Sequence, residues 1–556
     1  MKKQSLKKDI EPEVIEIFYQ LNELPSCQHR AGLAGLVLMV QELFKQPWFE
    51  QRQECIAELI DLEKSGVNLR INFEGVKSLL DFAYESFKEE RSTQTKIQDY
   101  DRVEEISLEN NGKTTLKKMY YYSVIVPQGA FLSYWDDSVS EDNKGLWIKL
   151  WRDMLWNVIR GVPATRNPFN NRCNGISYAK DAEEIWKGLI QPNKTTGQSG
   201  SYCLAAMATT ADNIPTQDLS KYQFLLHFAA FVFQVYRPSK INSDGKSEFD
   251  SYTIVVPDIA DLKRFCQEFP QLLKQRDNSK AGYLPREAVI DLVEEGALDV
   301  FLLQDRLARL TGEKKTRNSI LGAEIFNAEK SGNSVKFQLI SYVKPVVKMT
   351  DRYAQIKNSY WCSWFRKQRL LNLLNSYIDT NSYSEQEIQE IPPWNGFDRL
   401  LSRIPRKWLE NPYFSHDARQ LFKQEILSQG ENNMSLQTVN VRPYAEIVYS
   451  ICQTYVYEKL SHKHDLTWDK TWDKSKNESE IQSYDKQKYK IANEAFLAVR
   501  SRTDSRSFID YFVSTFYPFV RKDEFVEFAD NLFNKTEEIR SLTLLALASL
   551  FPIKND

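Results

Sequence analysis

The hydrophobic pattern changes character near residue 348, and that change bounds what the chain can fold into. Before it, segments with helical spacing alternate with short strand-like segments and turn signals. From Asp351 onward only the three-and-four spacing of helices recurs. Leu33 to Phe44, Phe49 to Leu62 and Val76 to Phe87 read as helices, with a short strand at Val67 to Phe73. Val103 to Leu108 and Met119 to Val126 flank Asn110-Asn111-Gly112, and Asn-Gly is a strong hairpin signal. Residues 143–160 carry Leu146, Trp147, Leu150, Trp151, Met154, Leu155 and Val158 on one helical face. Tyr222 to Tyr236 reads as a long β-rich run and Tyr252 to Val256 as its partner. Asp258 reads as the N-cap of a helix starting near Ile259, with Asp261 favourable at its positive end. A further strand is expected at Val335 to Val343.

The expected class is therefore α+β. A mixed N-terminal domain with small antiparallel sheets (1–348) precedes a helical connector (349–430) and a helical bundle (431–556). Within the bundle, Tyr444, Ile447, Val448, Ile451 and Tyr455 share one face. Thr536 is the expected cap of a last helix carrying Ile539, Leu542 and Leu545. The tandem TWDKTWDK at 467–474 reads as an exposed loop, and Ser384 with Glu387 as a capping box.

Charge removes one class of function. The 73 basic residues nearly cancel the 75 acidic ones, which argues against holding nucleic acid by bulk positive charge but leaves local basic patches open. Only 20 of 556 residues are glycine, which argues against a glycine-rich nucleotide-binding fold. Cys27, Cys55, Cys173, Cys203, Cys266, Cys362 and Cys452 are odd in number and scattered, so neither a disulfide framework nor a metal knuckle is expected. The N-terminus is charged and then amphipathic, with no signal-peptide core. No apolar run reaches the ~18 residues that would span a membrane. The expected location is the reducing cytoplasm, away from membranes.

Enzyme signatures are sparse. GxSxG, Walker, dinucleotide and common nuclease patterns do not occur. His462 and His464 lack a third ligand, and Asp136-Asp137 reads as loop and cap residues. His29 and His227 read as satisfied structural histidines. The expectation is a protein without catalytic residues, cofactor or metal. The alternatives are a nuclease with dispersed carboxylates and a helical scaffold protein.

Nucleic-acid chemistry is better represented. The loop at 164–172 sets Arg166 and Arg172 among Asn167, Asn170 and Asn171, at the end of a helix. Arginine suits guanine and phosphate, and asparagine suits adenine. Basic residues recur beside aromatics: Lys113, Lys117 and Lys118 before Tyr120 to Tyr122; Arg366, Lys367 and Arg369 after Trp364-Phe365; Arg403, Arg406 and Lys407 before Trp408. Such mixtures fit phosphate contact with base stacking.

Four segments carry a resemblance: LPSCQHRAGLAGL (24–36), VIVPQGAFLSYWD (124–136), GLWIKLWRDMLWNVIRGVPATRNPF (145–169), and LLHFAAFVFQVYRP followed by YTIVVPDIADLKRFC. In that order they resemble the Cmx branch of the Cas-eight proteins, large subunits of type I CRISPR Cascade complexes. The likeness runs from about residue 20 to 275, and the last helix (LTLLALASL) agrees with it. The resemblance implies a non-catalytic subunit that reads the PAM in double-stranded DNA, promotes R-loop formation and holds the displaced strand, while guide pairing reads the sequence. It implies as partners crRNA, target DNA, the backbone, crRNA-cap and crRNA-processing subunits, and a downstream helicase–nuclease or transposition proteins.

On that resemblance, Arg166, Asn167, Asn170, Asn171, Arg172, Gln198 and Ser199 are candidates for DNA or PAM contact. Gln28, His29 and Arg30, at the start of a helix, are candidates for phosphate or the crRNA 5′ handle, with Lys113, Lys117 and Lys118. Arg366, Lys367, Arg369, Arg403, Arg406 and Lys407 are candidates for the non-target strand. Met434 opens the bundle after Gln429-Gly430-Glu431, whose codons permit a ribosome-binding sequence, so a separate small subunit of residues 434–556 is expected from an internal start.

Overall fold

The computed structural model describes residues 13–551, apart from 50–53, 111–112, 128–144, 163–166, 207–215, 312–318, 333, 347, 379–390, 433–442 and 469–476. The chain forms two compact units. The first comprises residues 1–238 and 249–345, the second 239–248 and 346–556.

In the first unit, β1 (Ile15–Gln20), α1 (Cys27–Leu43), β2 (Ala57–Ile60), β3 (Gly66–Ile71) and α2 (Phe73–Ala83) come first. The three strands form an antiparallel sheet in the order β1-β3-β2. A second sheet, β4-β6-β5, is built from β4 (Ser86–Thr93), β5 (Arg102–Asn110) and the long β6 (Lys113–Pro127). The pairing of Asn110 with Lys113 places the expected hairpin where Asn-Gly predicts it. Then follow α3 (Leu146–Asn157), α4 (Pro168–Cys173), α5 (Ala179–Leu189), the short β7 (Thr195–Gly197) and β8 (Gln217–Leu219), and α6 (Ser220–Ala229).

The largest sheet has five strands. It takes β9 (Gln234–Pro238), β12 (Ser251–Ile259), β15 (Val289–Ile290), β16 (Ile320–Ser331) and β17 (Ser334–Val343) in the order β15-β9-β12-β16-β17. All nine residues of β12 are buried, as a central strand covered on both faces requires. Helices α1 and α8 (Glu295–Thr311) pack on it, and α7 (Leu262–Lys274) lies between them in sequence. A small hairpin of β13 (Lys280–Ala281) and β14 (Leu284–Pro285) completes this unit.

Helix α1 lies so close to α6 that a Cβ on Gly32 would stand 2.4 Å from the Leu225 carbonyl oxygen, and one on Gly35 2.1 Å from that of Phe228. The small residues of AGLAGL thus set the helix separation. Several expectations are corrected in this region. The run from Tyr222 to Tyr236 is a buried helix followed by a strand, because both elements are covered all round and show no period. The helix expected over Phe49 to Leu62 does not form at its C-terminal end either: Ala57–Ile60 is extended and pairs with β3. Asp258 lies within β12, and the cap of α7 is Asp261, whose side chain accepts from the Arg264 N–H at 3.0 Å.

The second unit holds the hairpin β10 (Lys240–Ile241) and β11 (Ser247–Glu248) and is otherwise helical among the described residues. Its helices are α9 (Met349–Ser359), α10 (Ser363–Ile378), α11 (Phe397–Arg403), α12 (Arg406–Leu409), α13 (Pro412–Asn432), α14 (Tyr444–His464), α15 (Glu478–Arg500), α16 (Ser505–Thr515), α17 (Phe525–Asn534) and α18 (Thr536–Ser549). Helix α18 is buried at every position from Ile539 to Ser549 and packs against α11, α13, α14 and α15. A helix apolar on all sides belongs at such a centre. Its polar exceptions are paired: Arg540 donates to Asp398 Oδ2 at 2.7 Å, joining α18 to α11. Thr536 does not cap α18, because its hydroxyl donates backward to the Leu532 carbonyl at 2.8 Å. The capping box at Ser384 and Glu387 lies outside the described residues.

Candidate nucleic-acid interface

The first turn of α1 and the segment before α6 meet in space. His29 Nε2 lies 2.6 Å from Asp218 Oδ2, and His29 Nδ1 lies 2.8 Å from Ser26 Oγ. The Gln28 amide donates to the Leu204 carbonyl at 3.0 Å and accepts from the Leu204 N–H at 2.7 Å. Gln198 donates to the same Asp218 carboxylate at 3.5 Å. Two of the sequence candidates, Gln28–His29 and Gln198–Ser199, therefore belong to one cluster. The Ser199 carbonyl accepts from the Cys203 N–H at 3.0 Å and shapes the loop.

The polar side chains of this turn face inward. Gln28 and His29 are 5% and 1% exposed, so a phosphate would have to displace their partners to be held by them. Arg30 donates to Asp258 Oδ1 at 2.6 Å, and the other Asp258 oxygen accepts from Tyr342 at 2.7 Å. Burial, and after it Asp258, push the Cys27 thiol up to about 12 and the Glu324 carboxyl above the usual carboxylate range. The group holds α1 against β12, β16 and β17.

The second candidate segment is a short helix where the sequence reads as a loop, and Arg166 lies outside the described residues. Pro168 opens α4 at the position proline favours. Phe169 is fully buried and makes edge contacts with Tyr84 at 5.5 Å and Trp151 at 6.3 Å. Ser86 donates to the Phe169 carbonyl, and Tyr178 donates to that of Pro168. Arg172 fixes the far end: its guanidinium donates to the Asp81 and Ile176 carbonyls at 3.1 and 3.0 Å and lies 3.7 Å from the Asp81 carboxylate. Arg172 is thus engaged with the chain. Asn167 is exposed, and Asn170 and Asn171 are half-buried on the same turn. A polar face sits here on an anchored support.

The third set lies on β6. Lys117 and Lys118 are exposed; Lys117 donates to Gln94 at 3.3 Å, and Lys118 is 3.8 Å from Glu105. Lys113 pairs by its backbone with Asn110. Arg102 stacks over Tyr121 at 4.0 Å and grips Glu90, so the aromatic row of this sheet is lined by charges of both signs.

In the second unit, Lys367, Arg403, Arg406 and Lys407 are exposed and Arg366 is half-buried. Lys407 stands 3.8 Å from Asp244 of the β10–β11 hairpin. Arg369 is only 7% exposed and lies over the Tyr360 ring at 5.6 Å, which gives it a packing role. Met434 lies outside the described residues.

Several partners escape sequence reading: Asp218 for His29, Asp258 for Arg30, Tyr342 for Asp258, and Asp81 for Arg172. Each is 84 to 228 residues from the residue it meets, and no local pattern marks it. No group of three or more His, Cys, Asp or Glu that could hold a metal ion occurs among the described residues. No described helix is long and apolar enough to cross a membrane.

Two family models match the chain in succession. Residues 56–313 match the N-terminal domain of type I-B CRISPR Cas8b, and residues 320–550 match its C-terminal domain. The boundary between the two falls inside the first unit, between α8 and β16. A search of curated proteins found no match. Two domains of one protein, met in order and together spanning most of the sequence, show that the chain belongs to the Cas8b family, the large subunit of the type I-B CRISPR Cascade complex.

Proposed function

We propose that this large subunit reads the PAM beside the target and steadies the opened DNA, without cleaving it. The observation that carries this reading is α4. A buried Phe169 and a clamped Arg172 hold a turn on which Asn167, Asn170 and Asn171 form a polar face. Base reading needs such a rigid mount, because a bidentate amide contact discriminates only when its position is fixed. Arg166, on the adjoining segment, would add a phosphate or guanine contact, and Gln198 and Ser199 a second loop near the groove. Lys113, Lys117 and Lys118 would meet crRNA or phosphate. Lys367, Arg403, Arg406 and Lys407, with Arg366, would follow the non-target strand.

The partners in this reading are crRNA, double-stranded target DNA, the other Cascade subunits, and a helicase–nuclease or transposition machinery that acts afterwards in the cytoplasm. Membership of the Cmx branch rests on the four sequence segments quoted above. Met434 would start a separate small subunit of residues 434–556. Recoding Met434 to leucine should then abolish a low-mass product; an unchanged product, or none in the parent, refutes it.

The reading is tested with the assembled complex on duplexes that differ only in the flanking sequence. Alanine at Asn167, Asn170 and Asn171 together should relax flank preference by about 1–3 kcal/mol while leaving assembly intact. Unchanged discrimination would make α4 a structural element only.

A further inference from the structure

A cavity of about 320 Å³ opens in the second unit between α11, α16 and α18. Arg399, Arg403 and Arg540 line it, with the hydroxyl residues Ser402, Thr503 and Ser505. Its floor is built. Arg540 is 6% exposed, donates to the Arg502 carbonyl at 3.1 Å and to Asp398 at 2.7 Å, and also bonds the Thr503 carbonyl. Its Nε is buried and has no hydrogen-bond partner.

The rim is looser. Arg399 pairs with Glu537 at 2.7 Å, but both side chains are more than 60% exposed, so the pair opens at little cost. The Arg403 side chain is exposed, and its guanidinium makes no ion pair or hydrogen bond among the described residues. Asp398 and Glu537 also line the cavity and offset two of the three guanidinium groups. The surplus positive charge is that of Arg403. The first turn of α18 carries no capping side chain, whereas Asp504 already caps α16.

We propose that this cavity binds a phosphate group, with Arg403 and Arg399 as its forked donors and the hydroxyls of Thr503 and Ser505 completing the shell. A guanidinium fork matches phosphate oxygens, and an incoming phosphate offers Arg399 a better partner than an exposed carboxylate. The source is the phosphodiester of a single strand, which deepens the reading given above and rests on it. The cavity would fix one phosphate at a set point on the second unit, where scattered surface cations would let the strand slide.

The test is calorimetric titration of the full chain at low salt with two probes, an oligothymidylate and inorganic phosphate. Arg403→Ala and Ser505→Glu should each weaken oligothymidylate binding about tenfold. Arg521→Ala, which does not line the cavity, should leave it unchanged. Ser505 is exposed in the first turn of α16, where a carboxylate suits the helix, so Ser505→Glu folds even if Arg403→Ala does not. If the oligothymidylate binds both variants as it binds the parent, the cavity proposal is overturned and the nucleic-acid reading stands. If the parent binds only inorganic phosphate and the variants lose it, the cavity stands as an anion site and the single-strand reading fails. If the parent binds neither probe, both fail.

Discussion

His29 Nε2 and Asp218 Oδ2 lie 2.6 Å apart across 189 residues, and this contact ties the start of α1 to β8. Asp218 is a hub: it also accepts from the Leu219 N–H at 2.8 Å and from Gln198. Removing it leaves a buried imidazole without its acceptor. Asp218→Ala should lower stability by about 2 kcal/mol in urea unfolding and loosen the β7–β8 pairing, read as faster amide exchange there. Ser26→Ala, which touches only the outer ring nitrogen, should cost less than half of that. Equal, small effects would mean that the contact contributes little.

Gly35 tests the closeness of α1 and α6. A Cβ there would meet the Phe228 carbonyl oxygen at 2.1 Å, and backbone cannot swing aside as a flexible side chain can. Gly35→Ala should destabilise by about 2–3 kcal/mol despite alanine's better helix propensity. A stabilised variant would show that the helices stand farther apart.

His227 sets part of the acid limit. Burial lowers its imidazole from 6.5 to about 3, so the folded chain keeps it neutral while the unfolded chain takes up a proton below the ordinary value. The unfolded state thus binds more protons between those two values, and stability falls as pH drops through that window. The loss attributable to His227 should be about 2 kcal/mol at pH 5 relative to pH 7. Comparing urea midpoints of the parent and His227→Gln at both pH values isolates it. An equally steep fall in the variant would place the titration elsewhere.

Arg172 separates support from reading. Its fork reaches two carbonyls and approaches the Asp81 carboxylate. Arg172→Ala should lower stability by about 1–2 kcal/mol, and Arg172→Lys should recover little, because an ammonium cannot span the same acceptors. A complete rescue by lysine would leave only charge as its contribution.

The sequence is readable where a single face is buried and where turns have their own chemistry. The β5–β6 hairpin follows from Asn-Gly, and α14 from the spacing of Ile447, Val448, Ile451 and Tyr455. It is unreadable where both faces are covered. From Phe224 to Tyr236 every residue is buried, so the helix-to-strand switch leaves no period to see. The polar candidates divide in the same way. Asparagines on α4 stay at the surface, whereas Gln28 and His29 turn inward to partners that lie far along the chain. Sequence spacing carries no trace of such pairings. The cavity at Arg399, Arg403 and Arg540 is only half visible for this reason: the basic cluster around Arg403 is local, but Arg540 and Ser505 come from other helices.

The most direct measurement is target binding by the crRNA-guided complex, assembled with and without this chain, across a library of flanking sequences. Tight binding is expected only with the chain present, restricted to a subset of flanks and with both DNA strands uncut. Equal binding and equal flank preference without the chain would contradict it.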